Sequence, residues 1–530
     1  MAWYDETVFY HIYPLGMTNS PHENNYEINE HRLNKLIPWL DHIKNIGCNG
    51  IYIGPLFESV SHGYDTTDYR KLDSRLGDNN DLKEFVAKAH EKGIKVIFDG
   101  VFNHVGRDFF AFKDLKEHKW DSRYKDWFLN INFNNNNEFN DGFSYDNWGG
   151  YNILVKLNQR NPEVKDYLCD VVRYWVNEFD VDGIRLDAAD VLDFDFMKTL
   201  RWVANEVKPD FWLMGEVIHG EYSRWVNDST LHSVTDYALH KAFFSGHNDH
   251  NYFEIAHTIK RMNDMGINKG NFKLYNFVDN HDTSRIMSKL NNKAHYVPVH
   301  VLLYGLPGIP SIYYGSEFGI EGNKGRSDDY EIRPELDFDA YKDEIKNNQY
   351  VKVISKLGEA KKHGLALSYG DYQEKLLTNR QYAFTRNMEG QTIIVAVNND
   401  DNPSTLNLNN IPDGEYVGQL FGTKVNVTNG YVQINLDGNS GDIYLPIKSS
   451  PKIKEVIKIK VEEKKEEPKK DLPKMDNIPN KPYEEMSVEE LQAVILYKMS
   501  CNGPVNDQMR RSVTDNTHHG SLINWAKSFR

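Results

Sequence analysis

The sequence predicts an α/β chain: a (β/α)8 barrel of the TIM type with an inserted subdomain after its third strand, then a smaller antiparallel β-domain, a linker and a short helical tail. Three observations predict it. Eight short apolar runs alternate with amphipathic helical patterns between Val8 and about residue 365. Several of those runs end in a carboxylate. From residue 368 the pattern changes to period two between Asn, Asp and Gly turns.

The runs are residues 8–13, 50–54, 95–99, 183–187, 212–216, 232–236, 274–278 and 311–315. Helical periodicity is clear over 80–90 and 162–175, where crossovers between parallel strands belong. An open doubly wound sheet is the structural rival, but no Gly-rich phosphate turn follows the first run. The barrel is expected to comprise 1–104 and 161–367. Residues 105–160, rich in Asn and aromatic side chains, are too many for an ordinary loop and read as a subdomain on the C-terminal face. Strand patterns at Tyr382, Thr392, Val432 and Asp442 define a β-sandwich over 368–448. The linker, 449–484, is Lys-, Glu- and Pro-rich. Residues 451–482 hold ten Lys, seven acids, five Pro and no aromatic residue, a composition that cannot bury a core. In the tail, 485–530, Ser487-Val-Glu-Glu reads as a capping box. No chemical motif appears there, and docking of a protein partner is left open.

The 530 residues carry a net charge of −15, which excludes the basic footprint of a nucleic-acid binder. Cys48, Cys169 and Cys501 are scattered and read as reduced thiols. The stretch 294–316 lacks Asp, Glu, Lys and Arg, but Pro298, Pro307 and Pro310 with two glycines divide it, so no membrane span is expected. The N-terminus has neither a basic nor an apolar leader segment, and the expected location is cytoplasmic.

Asp99, Asp187 and Glu216 end the third, fourth and fifth runs, and Asp282 follows the seventh. Apolar strands do not end in acids for packing reasons, because an unpaired buried charge is costly. In a parallel barrel these ends converge on one face. Arg185 lies two residues before Asp187 and points the same way. A guanidinium there is expected to keep Asp187 ionised, and the nearby acids to raise the pKa of Glu216. His104 and His281 stand close to the same ring of strand ends.

These residues carry a resemblance. Asp99-Gly-Val-Phe-Asn-His104, Gly183-Ile-Arg-Leu-Asp-Ala-Ala, Gly215-Glu-Val and Val278-Asp-Asn-His-Asp282 resemble, in order, the four signature regions of the α-amylase family of glycoside hydrolases. Gly63-Tyr-Asp-Thr-Thr-Asp-Tyr69 and the segment 308–317 are similar to further family signatures. The resemblance covers residues 8 to about 448. It implies Asp187 as nucleophile, Glu216 as general acid/base, Asp282 as the third acid on a distorted sugar and Arg185 as the residue that orients the nucleophile. It implies His104, His281 and Tyr64 around the attacked ring, with Asp65, Lys156, His219, Asp329 and Arg333 as further substrate contacts. Asp328 joins the last two in an outer clamp of ambiguous spacing. Asp99 and Asn103 would support the site from beneath.

Val155-Lys-Leu-Asn158, Ser61-His-Gly-Tyr-Asp and Gly215-Glu-Val-Ile-His219 resemble the neopullulanase and cyclomaltodextrinase group. The barrel begins almost at residue 8, without that group's N-terminal β-domain, and Asn280 replaces a smaller residue. The implied substrates are short linear or cyclic α-1,4-glucans, with some α-1,6 tolerance. No cofactor is implied as required. Calcium is left open at Asn103, since residues 16–30 lack the Asp-x-Asn-x-Asp pattern of another family site. A glucanotransferase with the same acids is the main alternative, with Trp127 and Trp148 shaping an acceptor site. Sucrose- or trehalose-active and non-catalytic relatives are further alternatives, the last disfavoured because all three acids are present.

Overall fold

Alternation along the first run shows how the barrel is filled. Phe9 packs with Tyr52, Ile97, Trp212, Met214, Tyr275, Phe277 and Ile309 in one interior cluster. Its neighbours Tyr10 and Ile12 belong to the larger core between strands and helices. A computed structural model describes residues 2–267, 272–325, 328–451, 481–501, 513–514 and 517–528. The barrel strands are β1 (Phe9–Ile12), β2 (Gly50–Ile53), β3 (Lys95–Gly100), β4 (Gly183–Leu186), β5 (Trp212–Gly215), β6 (Ser233–Val234), β7 (Tyr275–Phe277) and β8 (Ile309–Tyr313). They form one sheet in the order β6-β5-β4-β3-β2-β1-β8-β7. Every pairing is parallel. Between β6 and β7 the circle closes only through a bridge of Thr235 with Tyr275 and a 2.9 Å bond from Asp236 N–H to the Tyr275 carbonyl. All eight expected strands are present. The run at 232–236 forms the shortest, two residues long.

At the N-terminal end of the barrel Phe9 stacks on Trp212 with centroids 5.0 Å apart, and Trp3 and Tyr4 pack against the same indole. This aromatic floor leaves the opposite end for polar groups. Helix Asn79–Glu91 begins at Asp78, whose carboxylate accepts from the N–H groups of Asn80 and Asp81. Helix Pro162–Phe179 begins at the Asn161 cap with Pro162 in its first turn. The stretch 294–316 resolves into helix Tyr296–Gly305 and β8. Among the described residues no helix is long and apolar enough to cross a membrane.

Asp182, just before β4, is almost fully buried and shows one way this fold holds a charge. It accepts from His90 Nε2 at 2.6 Å, Lys95 Nζ at 2.9 Å and Val96 N–H at 2.9 Å, and pairs with Lys208 Nζ at 2.9 Å. Burial alone would raise its pKa, but these donors outweigh it and hold the carboxyl well below the usual range. A depressed carboxyl stabilises the fold above its unfolded pKa, about 3.9, and that contribution disappears as pH falls through the folded value. Asp182→Asn is therefore expected to cost about 2–4 kcal/mol at pH 7. Urea denaturation should show the gap to wild type narrowing below about pH 4; a pH-independent gap would mean that packing alone is at work.

The insertion holds helix Phe110–His118 and a sheet in which Tyr151–Lys156 lies between His104–Val105 and Asn147–Trp148. Beyond the barrel, a six-stranded antiparallel sheet and a two-stranded antiparallel sheet of Ser404–Asn409 with Tyr431–Leu436 enclose a second core, which includes Ile394, Ala396, Leu406 and Ile434. The described residues fall into two compact units, one within 1–453 and the other within 454–530. Most of the expected linker, 452–480, lies outside the described residues. In the second unit the capping box at Ser487 is present: its N–H donates to Glu490 at 2.6 Å, and its hydroxyl accepts from Glu490 N–H at 3.2 Å. Helix Val488–Cys501 follows. Cys48 and Cys169 are buried free thiols; the side chain of Cys501 lies outside the described set.

Candidate active site

The side chains that continue the inward positions of the strands meet at the C-terminal end of the barrel. Arg185, two residues before Asp187, turns into the barrel between the aromatic floor and the cleft. Its guanidinium contacts Asp99 Oδ1 at 2.8 Å, Asp187 Oδ1 at 2.9 Å and Glu216 Oε2 at 2.8 Å. The site is layered: Arg185 and Asp99 side chains are 3% and 0% exposed, whereas Asp187, Glu216 and Asp282 are 11%, 13% and 29% exposed. The cation thus lies beneath, and the three acids face the opening. Gly54 permits this depth, because a Cβ there would lie 2.2 Å from that of Asp99.

Backbone geometry helps place the pair. Ala188 has φ 46° and ψ 43°, in the left-handed region, which costs energy for a residue with a Cβ. That turn aims its N–H at Glu216 Oε2, 3.1 Å away. On the other side, Tyr237 donates to Glu216 Oε1 at 3.3 Å and accepts from Asn280 Nδ2 at 3.0 Å. Asp282 takes His281 Nε2 at 2.9 Å and Arg333 at 3.0 Å. Burial would raise the pKa of Asp282, but His281 and Arg333 outweigh it and hold it well below the ordinary range.

Asp187 corrects an expectation. The sequence reading assigns the charge of Arg185 to Asp187; the structure divides it among three acids. Burial pushes the Asp187 carboxyl well above its ordinary range, Arg185 opposes this without prevailing, and Glu216, Asp99 and Asp282 add to the rise. One cation thus serves three carboxylates, and the Asp187 carboxyl holds its proton more readily than a free one.

Tyr64 donates to Asp99 Oδ2 at 3.0 Å and is hydrogen-bonded to His281, with the two rings nearly parallel at 5.6 Å. His104 is buried, which pushes its pKa down to about 3, with His62 adding to the fall. Asn103 Nδ2 donates to its Nδ1 at 3.1 Å. A hydrogen bond from the ring to the backbone of Tyr64 works against that fall. Arg333 binds Asp282 and Asp329, each at 3.0 Å, so it is anchored inward.

Other expected contacts lie around this cluster. Asp65 is buried and spends its oxygens on Ser61, accepting from its N–H at 2.9 Å and its hydroxyl at 2.7 Å; it shapes the loop before Tyr64. Lys156 pairs across the strands with His104. His219 is exposed on the loop after β5. Trp127 is buried and donates to Glu163 at 2.9 Å, so it packs between the insertion and helix Pro162–Phe179. Tyr52, Tyr237 and Asn280 were missed as site residues. Tyr52 donates to Asp99 Oδ2 at 2.8 Å, and its inward phase on β2 is the signal that could have found it.

Asn103 Oδ1 is buried without a partner. Calcium needs six to eight oxygens. Among the described residues, the only cluster of three acidic, His or Cys ligand atoms is His31, Asp78 and Asp81, already engaged in helix capping. The donors at Asn103 do not form a carboxylate-rich cage, and no step is derived through a metal.

Carboxylates gathered over one arginine at the C-terminal mouth of a barrel define a glycosidase-type site. Residues 11–363 match the alpha amylase catalytic domain, and residues 370–444 match the alpha-amylase C-terminal domain. The chain belongs to the α-amylase family and is a glycosidase of that family. It is 31% identical to a cyclomaltodextrinase of Thermoanaerobacter pseudethanolicus, over 82% of this chain and 77% of that one. It is 31% identical to an intracellular maltogenic amylase of Bacillus subtilis, over 60% and 56% respectively. A solved cyclomaltodextrinase superposes with a TM-score of 0.74 at 26% identity, covering 84% of this chain and 78% of that one.

Proposed function

We propose that this chain hydrolyses α-1,4-glucosidic bonds, and some α-1,6 bonds, in maltodextrins, cyclodextrins or starch fragments with retention of configuration. The observation that carries the reading is the guanidinium of Arg185 bound to Asp187 at 2.9 Å and to Glu216 at 2.8 Å. A shared cation keeps the two acids close. Retaining enzymes hold theirs about 5–5.5 Å apart, against about 6.5–9.5 Å in inverting ones.

Asp187 attacks the anomeric carbon while Glu216 gives its proton to the leaving oxygen, and the glycosidic bond breaks. The product is a β-linked glucosyl ester on Asp187. Glu216, now ionised, takes a proton from water, whose oxygen attacks the same carbon and releases Asp187. Glu216 must carry a proton, and Asp187 must be ionised, for the first step. Asp282, Tyr64, His104 and His281 hold the ring. Lys156, His219, Asp329 and Arg333 extend the contacts outward. A cytoplasmic location belongs to the same reading, supported by the relative named as intracellular. So do the boundaries at 105–160, 368–448 and 485–530.

The test is a timed digest of maltoheptaose and β-cyclodextrin, with NMR of the first-formed anomer. Ring opening, shorter products and an α anomer are expected. A β anomer would exclude retention, and early chains longer than the input would make the enzyme a transferase.

A further inference from the structure

Phe9 and His11 are the two inward positions of β1. Phe9 belongs to the aromatic floor, so His11 occupies the next inward position toward the cleft. Its register partners are Tyr52 on β2 and Tyr313 on β8. The imidazole lies nearly parallel to the Tyr52 ring, at 4.2 Å between centroids, and 4.9 Å from that of Tyr313. Its third ring neighbour among the described residues is His281, edge-on, with centroids 5.0 Å apart and planes at 88°.

His281 takes Asp282 through Nε2 at 2.9 Å and is hydrogen-bonded to Tyr64. Its Nδ1 is buried without a partner, and so is Nε2 of His11. Two buried orphan nitrogens on adjoining rings call for a common explanation. Burial pushes the pKa of His11 well below its usual range, and His281 and Arg185 add to the fall, so the ring is neutral. A neutral imidazole has one N–H and one bare nitrogen. From this slot it can orient His281 in a way that a phenyl ring could not.

We propose that His11 is a positioning residue for the glycosidase reaction: wedged between Tyr52 and Tyr313, it fixes the tilt of the His281 ring and with it the hold of Nε2 on Asp282. The proposal rests on the reading of Asp282 and His281 as groups that grip the attacked sugar. That grip matters most when the sugar is distorted, so a looser His281 should cost turnover more than binding. Burial raises the Asp282 pKa, and His281 is the largest of the groups that oppose it, ahead of Arg333 and Lys324. A misplaced His281 should therefore move the acid limb of the kcat/KM profile to higher pH.

His11→Phe and His11→Gln would be compared with wild type on maltoheptaose, and His11→Phe again in a His281→Ala background. His11→Phe, which keeps a ring in the slot, is expected to lower kcat about tenfold with KM changed less than about twofold, and to shift the acid limb upward. His11→Gln, which keeps an N–H and an acceptor, should recover most of the loss. In the His281→Ala background His11→Phe should have no further effect. An undiminished loss in that background would mean that His11 acts through Tyr52 or the fold, and would overturn the proposal. An unchanged kcat in His11→Phe, or a loss confined to KM, would overturn it too. Wild type inactive on maltoheptaose would overturn the reading of the cleft, and the role of His11 with it, a result distinct from additive losses in active enzyme.

Discussion

Asp187→Asn is expected to lower kcat on maltoheptaose by on the order of 10⁴-fold or more. The amide nearly preserves shape and keeps an oxygen for Arg185, 2.9 Å away in the parent. What it removes is an oxygen able to form an ester at the anomeric carbon. Circular dichroism should show an unchanged fold. Glu216→Gln should lose about 10²–10⁴-fold on maltoheptaose and less on α-glucosyl fluoride, whose leaving group needs little protonation. Azide separates the two roles. In Glu216→Gln it attacks the glucosyl ester without needing a base and gives α-glucosyl azide. In Asp187→Ala it takes the place of the missing nucleophile and gives β-glucosyl azide. The opposite pair of anomers would exchange the assigned roles.

Arg185→Met carries the largest expected effect on stability. The guanidinium is nearly inaccessible and serves Asp99, Asp187 and Glu216 together. Its loss leaves buried acids without a counter-charge, a change that costs about 3–5 kcal/mol. The sign with pH follows from the carboxyls. Without the cation they bind protons more readily in the fold than in the unfolded chain, so acidification relieves the penalty. Urea midpoints should therefore differ more from wild type at pH 7 than at pH 5. A difference that grows toward acid would assign the role of Arg185 to packing. A double variant, Arg185→Met with Asp99→Asn, is expected to regain part of the stability by removing one stranded charge.

The fold was legible because parallel strands buried on both faces are continuous apolar runs, and because an acid at the end of such a run has no reason in packing. Asp99, Asp187 and Glu216 are visible in this way from sequence alone. Their electrostatics are not. The spacing of Arg185 and Asp187 shows that they share a face, but not that Asp99 and Glu216 compete for the same guanidinium across two other strands. Tyr237 and Asn280 escaped for a similar reason: their 3.0 Å bond joins residues 43 apart in sequence, and neither carries a charge to draw attention. Trp127 shows the opposite error. An aromatic residue in a polar insertion suggests a sugar platform, yet its N–H is committed to Glu163. Type and position do not reveal which face of a small subdomain points inward.

The thin closure of the barrel has a mechanical consequence. Glu216 follows β5, and Asp282 follows β7, so the two acids straddle the joint at which β6 meets β7 through a lone bridge at Thr235 and Tyr275. Elsewhere around the ring, neighbouring strands are tied over two to four residues. Fewest ladder hydrogen bonds would have to break here for a local opening. Tyr237 spans the gap, touching Glu216 at 3.3 Å and Asn280 at 3.0 Å, and acts as a strut across a hinge line. The phenol thus ties the proton donor to the segment that carries the third acid, across the joint where the ladder is thinnest.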